Sequence, residues 1–173
     1  GKYFCEHRQN DKNLQQIKDN LKIAEEKRNT PPKSADHEQF EFAKLTSDSL
    51  DEAAQLYKDI FTKYPFPIFD PIYLHNTMQT HVDYFCVRHQ GKMVALSSAE
   101  KDQEHKNVEM TDFATMPEYR GKGLASELLK RMEEEMRNQE IKTAYTIARA
   151  MSVGMNVTFT RAGYKFGGTL INN

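Results

Sequence analysis

The chain has no tryptophan, only two cysteines, and no apolar run approaching the length of a membrane span. Each absence narrows the classes of function. A spanning helix needs about 20 consecutive apolar residues, so no membrane partner is expected, and the mean hydropathy of −0.78 agrees. Cys5 and Cys86 lie far apart and outside any metal-type spacing, so free thiols in a reducing cytoplasm are expected. The 6 histidines form no i, i+4 pair, and no metal site is expected. A charge excess is missing too: 24 Lys and Arg against 25 Asp and Glu leave a net −1, which gives no general attraction to nucleic acid. No charged, apolar and small-residue series opens the chain, so no signal peptide is visible. The first residue is Gly1 rather than Met, so the true N-terminus is expected upstream. The 173 residues suffice for one domain with a core and an appendage.

What is present is ordered punctuation. Leu14, Ile17, Leu21 and Ala24 recur at helical spacing between about Asp11 and Arg28, a thin stripe suited to a helix lying on something else. Asn29-Thr30-Pro31-Pro32 ends it, and 1–37 reads as a helical extension and linker before a domain at 38–173. Glu38–Thr46 reads as a strand. From Thr46 onward Ala53, Leu56, Tyr57, Ile60, Phe61 and Tyr64 share one helical face. Pro65, Pro67 and Pro71 break it into an aromatic loop, and a short helix is expected over Pro71–Thr80. Val82–His89 and Lys92–Ala99 read as a hairpin turned at Gln90-Gly91. Val108–Thr115 reads as a strand. Leu124–Asn138 reads as a helix burying Leu124, Leu128, Leu129, Met132 and Met136. Then come a strand over Thr143–Ala148, a helix over Ser152–Arg161 capped by Ser152 and Gly163, and a last strand over Tyr164–Leu170. This order predicts an α/β layer (α+β by some schemes) on a mixed, mostly antiparallel sheet, not a doubly wound dinucleotide fold.

The most informative segment is Arg120-Gly121-Lys122-Gly123-Leu124-Ala125, between a strand and a helix. Two glycines there let backbone approach a ligand closely. The free N–H groups of a first helical turn and the helix dipole then favour a phosphate or pyrophosphate. The spacing fits neither a Walker A loop nor G-x-G-x-x-G. What remains is R-x-x-G-x-A, formed by Arg120, Gly123 and Ala125; the plain alternative is a helix start with a glycine turn.

This loop, with the strand before it and Gly163-Tyr164 after it, resembles the acetyl-CoA loop of the GCN5-related N-acetyltransferase (GNAT) superfamily, over roughly residues 39–170. The resemblance implies acetyl-CoA as co-substrate, helices on both sheet faces and splayed central strands. It implies cofactor contacts by Phe113, Ala114, Thr115 and Arg120 through Ala125. An amine must lose a proton before attacking a thioester, so a base is needed. Glu109 is the first candidate and Asp112 the second. Three apart, they point to opposite faces of a regular strand unless a bulge intervenes, which the resemblance makes usual. Many members carry Tyr four residues before the Gly of a Gly-aromatic pair; here that residue is Phe159, assigned to the cofactor but with no proton to donate. Another group or water protonates the thiolate, or CoA departs as thiolate; Tyr145 is a weak substitute, otherwise core or pocket wall. Asn156 is expected to bond pantetheine or substrate, with local capping as the alternative. Phe66 and Phe69 suit a methylene chain, Asp70 an ammonium and Arg149 a carboxylate, against the alternatives of a hydrophobic plug and a surface ion pair.

Several strings look most like one subfamily, the beta-lysine N6-acetyltransferases: Tyr64 to Pro71, Glu109 to Thr115, Ala144 to Ala150, Gly154-Met155-Asn156 and Gly168 to Asn173. That implies acetyl transfer to the terminal amine of a small diamino acid, the alternatives being a polyamine or protein lysine as acceptor, or a non-catalytic acyl-CoA-binding module; the expected location is the cytoplasm, and a homodimer is one of the expected assemblies. Members continue past the Asn-Asn pair with a further strand, so the chain is expected to be a fragment lacking its last sheet strand.

Overall fold

The structure is a computed structural model and describes residues 12–170; Cys5 lies outside them. The described residues group into two compact units, Lys33–Ile147 and a second made of those up to Pro32 with those from Ala148 onward.

The larger unit is built on five strands: β1 (Glu41–Lys44), β2 (Val82–His89), β3 (Lys92–Asp102), β4 (Asn107–Thr115) and β5 (Thr143–Tyr145), in spatial order β1-β2-β3-β4-β5. The first four pair antiparallel, and β5 joins β4 in parallel. The mixed, mostly antiparallel sheet expected from sequence is present. Gln90 and Gly91 both take positive φ, 51° and 79°, the turn geometry that matches strand twist in a two-residue hairpin.

Period-2 alternation gives the sheet two apolar faces. Helices α1 (Leu14–Glu26) and α5 (Val153–Arg161) belong to the second unit; α2 (Leu50–Ile60), α3 (Pro71–Met78) and α4 (Leu124–Asn138) serve the sheet. On one face Val82, Tyr84, Cys86 and Leu96 join Leu50, Ala53, Leu56, Tyr57 and Leu74 of α2 and α3 in one cluster. On the other lies α4, whose Met132 sulfur accepts from Ser97 at 3.1 Å. Its buried face is Leu124, Leu128, Leu129, Met132 and Met136, each side chain stabilising by about 2 kcal/mol when fully buried. Asp70 caps α3, accepting from the Ile72 N–H at 2.9 Å with Pro71 in the first turn.

In the second unit α1 buries Ile17, Asn20 and Ala24 and contacts α5. Asn20 is satisfied by giving Nδ2–H to the Ala150 carbonyl at 3.1 Å. Helix α5 ends in a Schellman motif. The Tyr164 N–H reaches the Phe159 carbonyl, the Gly163 N–H reaches that of Thr160, and Gly163 supplies φ +92°.

Some expected elements are shorter. The strand over Glu38–Thr46 is only Glu41–Lys44, because Gln39 and Phe40 N–H groups turn back to Asp36. Helix α2 stops at Ile60, so Phe61 and Tyr64 follow the helix rather than ride on it. Ser152 makes no side-chain cap; its carbonyl takes the Asn156 N–H instead. Tyr164–Leu170 is not a strand; Gly167 and Gly168, the latter at φ +149°, weaken any ladder there. The strand over Thr143–Ala148 ends at Tyr145, for a reason that belongs to the site.

Candidate active site

Strand β4 changes partner midway. Asn107, Val108 and Glu109 pair with β5 on one side and β3 on the other. Beyond the Glu109–Tyr145 pair, β5 leaves. The Ile147 N–H donates to the Glu109 carboxylate rather than continuing a ladder. From Met110 to Thr115 β3 is the only strand paired with β4 among the described residues, which makes the other side an open edge of the sheet.

The open half carries a bulge. Leu96 pairs with Ala114 and Ser98 with Thr111, so Asp112 and Phe113 together stand opposite Ser97. Asp112 pays for this with φ +55°, an uncommon region that Asp tolerates better than most residues. The bulge reverses the alternation and brings Asp112 to the face of Glu109, where its carboxylate reaches Ser98. That face is the one covered by α2 and α3. Asp112 Oδ2 accepts from Ser98 Oγ at 2.6 Å, Oδ1 accepts from the Tyr64 hydroxyl, and Thr111 Oγ1 lies 3.4 Å from the same oxygen. The Tyr57 hydroxyl is buried beside Ser98 without a well-formed hydrogen bond.

Glu109 is partly buried, and burial pushes its carboxyl above the ordinary glutamate value. The charge of Glu100, its cross-strand neighbour, adds to this, while the Ile147 N–H opposes it. Among the described residues no Lys or Arg pairs with Glu100, Glu109 or Asp112; only His81, 3.7 Å from Glu100, offers a cation when protonated. The hydroxyls of Tyr73 and Tyr84 also feel Asp112 and Glu100. Three acids and several phenols thus face one another with little positive charge among them.

The glycine loop lies between β4 and α4. Gly121 and Gly123 take φ +71° and +81°. A Cβ on Gly123 would stand 2.1 Å from the Lys33 carbonyl oxygen, so only glycine fits. Among the described residues none of the N–H groups from Gly121 to Ser126 donates to a backbone carbonyl, and the first that does is Glu127, to Gly123. Lys122, Leu124 and Ala125 thus each present a backbone donor in the loop. Arg120 Nε donates to the Thr115 carbonyl at 3.2 Å, tying the loop to the end of β4. Because the Met116 N–H bonds Val94, alternation turns the Thr115 amide toward the open edge. N–H groups that meet no backbone carbonyl among the described residues, beside a strand edge that no described strand covers, suit the pyrophosphate and pantetheine arm of a CoA ester.

Of the residues expected from sequence, β4 and the loop gather Glu109, Asp112, Phe113, Ala114, Thr115 and Arg120 to Ala125, with Tyr145 opposite Glu109. Tyr145 is 44% exposed and so is not a core residue. Phe69 packs against the α2/α3 cluster, Phe66 is exposed, and Asp70 is committed to its cap. Arg149 is not at a strand end: it lies four residues past β5, and its carbonyl accepts from Asn156 Nδ2 at 3.1 Å. Asn156 also gives Nδ2–H to Ser152, so its bonds are local caps. Phe159 is buried edge-on against Tyr164. Arg149, Asn156 and Phe159 belong to the second unit. The sequence reading did not single out Ser98, Glu100 or the Tyr64 hydroxyl; the polar pair Ser97-Ser98 inside an otherwise apolar strand was the available signal.

Among the described residues no group of three or more His, Cys, Asp or Glu could hold a metal, and no helix is long and apolar enough to cross a membrane. A family model described as Acetyltransferase (GNAT) family matches residues 50–164. The chain is 41% identical over 173 residues to the beta-lysine N(6)-acetyltransferase of Methanococcus maripaludis, covering 100% of this chain and 63% of that protein. It is 36% identical over 165 residues to the protein of the same name from Methanosarcina mazei, covering 95% of this chain and 59% of that one. The chain thus spans about three fifths of the length of these curated relatives. A crystal structure described as a predicted acetyltransferase with acetyl-CoA from Clostridium acetobutylicum superposes with a TM-score of 0.62 at 15% identity, covering 78% of this chain and 96% of that one; that likeness shows the fold.

Proposed function

The chain belongs to the acetyltransferase (GNAT) family, and from that premise we propose that it moves an acetyl group from acetyl-CoA to the terminal amine of a small diamino acid, beta-lysine in the first instance. The observation that carries this is the open edge of β4, with the glycine loop at one end and an acid cluster on the adjoining face. The name borne by two relatives over most of this chain supports the choice of amine.

Bound acetyl-CoA supplies the activated acyl group. Backbone N–H groups from Gly121 to Ser126 receive its anionic end, and the amide of Thr115 and its neighbours along the edge hold the arm and polarise the acyl oxygen. An alkyl ammonium has a pKa of about 10.4, so at pH 7 freeing the amine costs roughly 4–5 kcal/mol. Glu100 and Glu109 bind the ammonium, which favours its charged form, with Asp112 adding negative charge behind them. Glu109 then takes a proton, directly or through water, helped by the burial that raises its own proton affinity. A thiol of pKa about 8.5 leaves adequately near neutral pH, so Phe159 in place of a tyrosine does not prevent turnover.

The test is acetyl-CoA turnover by the full-length protein with beta-lysine, alpha-lysine and spermidine compared side by side. A kcat/KM at least about tenfold higher for beta-lysine is expected, the discrimination that one misplaced polar group produces. Preference for spermidine would move the substrate class, and CoA binding without turnover of any amine would leave a binding module.

A further inference from the structure

Resting on that reading, we infer that Asp112 is a positioning residue and not the base: with Tyr64 and Ser98 it forms a latch that holds the proline-rich loop against the β4 bulge.

Both carboxylate oxygens of Asp112 are occupied. Oδ2 takes the Ser98 hydroxyl at 2.6 Å and Oδ1 takes that of Tyr64, with Thr111 Oγ1 at 3.4 Å. The carboxylate is thus already engaged by protein hydroxyls on both oxygens, the geometry of a structural tie. Glu109 is raised by burial, which outweighs the Ile147 N–H and the Thr111 hydroxyl that act on it in the other direction. The two acids therefore divide the work.

The donors come from separate elements. Ser98 is on β3. Tyr64 opens the loop that leads through Phe66 and Phe69 to the Asp70 cap. Its ring packs on Phe61 with centroids 5.0 Å apart, and Phe61 stacks on Tyr57 of α2 at 5.9 Å. Asp112 itself sits at the bulge, where φ +55° sets the direction of the peptide units that follow. Those units present the open edge. The Asp112 backbone sets the edge and its carboxylate holds Tyr64, so releasing Tyr64 releases the aromatic loop; the latch fixes the distance between the two walls that would meet the amine.

The experiment is a double-mutant cycle in the full-length protein with Y64F, D112N and Y64F/D112N, beside D112G, D112A and S98A. Y64F is expected to lower kcat/KM for the amine about tenfold, the scale of one hydrogen bond to a charged group, with KM for acetyl-CoA and the low-pH limb of the rate profile unchanged. The double variant is expected to be no worse than D112N. D112G, which keeps the left-handed backbone, is expected to hold the wild-type KM for acetyl-CoA, while D112A raises it about tenfold through backbone strain. Multiplying effects in the cycle would overturn the latch, and so would a low-pH limb lost in D112N yet kept in E109Q, since Asp112 would then be the base. If D112N does not fold, Y64F and S98A close the same cycle through their shared carboxylate. If the wild type acetylates no amine, the functional reading fails on its own. The latch is then judged by amide hydrogen exchange at Phe66 and Phe69, which must speed up in Y64F; unchanged exchange sinks it.

Discussion

The two faces of the sheet treat a buried acid in opposite ways. On the α4 face, Asp83 is nearly buried and fully answered: Lys44 and Lys101 each stand 3.0 Å away, and Gln139 donates at 2.8 Å. Burial works to raise that carboxyl, yet the hydrogen bonds from Gln139, Lys101 and Lys44 outweigh it and hold it below the usual value. On the α2/α3 face, Glu100, Glu109 and Asp112 share a surface with no Lys or Arg partner among the described residues. Neutralisation by lysine, here Lys44 and Lys101, is present on the first face and absent from the second among the described residues. The first arrangement is structural. The second leaves its negative charge without a Lys or Arg partner among the described residues, and costs stability to do so.

The comparison breaks most visibly at Glu109. Glu109→Gln is expected to lower kcat by about 10²–10³, the usual scale for a general base, and to raise the unfolding midpoint at neutral pH. The sign follows from the shift. A carboxyl whose folded value is raised is best accommodated protonated, so stability is fully present below its unfolded value of about 4.3 and is lost as pH rises through the folded one. Gln mimics the protonated form. Activity lost without a gain in melting temperature would return Glu109 to the class of Asp83. Next in size is Gly123→Ala. Positive φ and a Cβ 2.1 Å from the Lys33 oxygen together are expected to cost about 2–4 kcal/mol and to weaken CoA binding. Gly121→Ala, with nothing within 4 Å, carries only the φ strain of about 1 kcal/mol. Equal melting shifts in the two would remove the close approach as the reason for Gly123.

Much of the frame could be read beforehand. Helix α4 and its buried face followed from five apolar residues at helical spacing behind a glycine stop, and the β2–β3 hairpin from Gln90-Gly91. Both signals are local. The misreadings at the site share a non-local cause. Thr143–Ala148 has strand composition throughout, but its partner's side chain, Glu109, takes the Ile147 amide and ends the ladder. Glu109 and Asp112 could be named from their strand; that a bulge turns both to one face depends on φ at Asp112, which no neighbour in sequence dictates, and only the family resemblance pointed to it. Ser98 and Tyr64 matter through contacts 14 and 48 residues away in the chain, beyond the reach of any periodicity.

The answered face is tested by Asp83→Asn, expected to cost about 1–3 kcal/mol because two ammonium groups then face an amide. The pH dependence has a fixed sign. A carboxyl held low contributes stability above its unfolded value, about 3.9, and loses it as pH falls through the folded one. Wild type and variant should therefore differ in chemical denaturation at neutral pH and converge in acid. A constant gap across that range would mean that packing, not charge, makes the difference.

The smallest expected effect is the most specific to the unanswered face. Glu100 and Glu109 are cross-strand partners, and like charges directly opposite destabilise a sheet by a few tenths of a kcal/mol. Glu100→Gln removes the repulsion that helps raise Glu109 but leaves its burial, the larger cause, untouched. The low-pH limb of the rate profile should move to lower pH, because Glu109 then holds its proton less tightly, and the plateau should stay within about twofold for the loss of one exposed charge near a bound cation. Stability at neutral pH should rise slightly. Both changes must occur together: a shifted limb with no gain in stability would place the Glu100 interaction in the substrate complex alone. A limb that does not move would mean that Glu109 is not the group that titrates there.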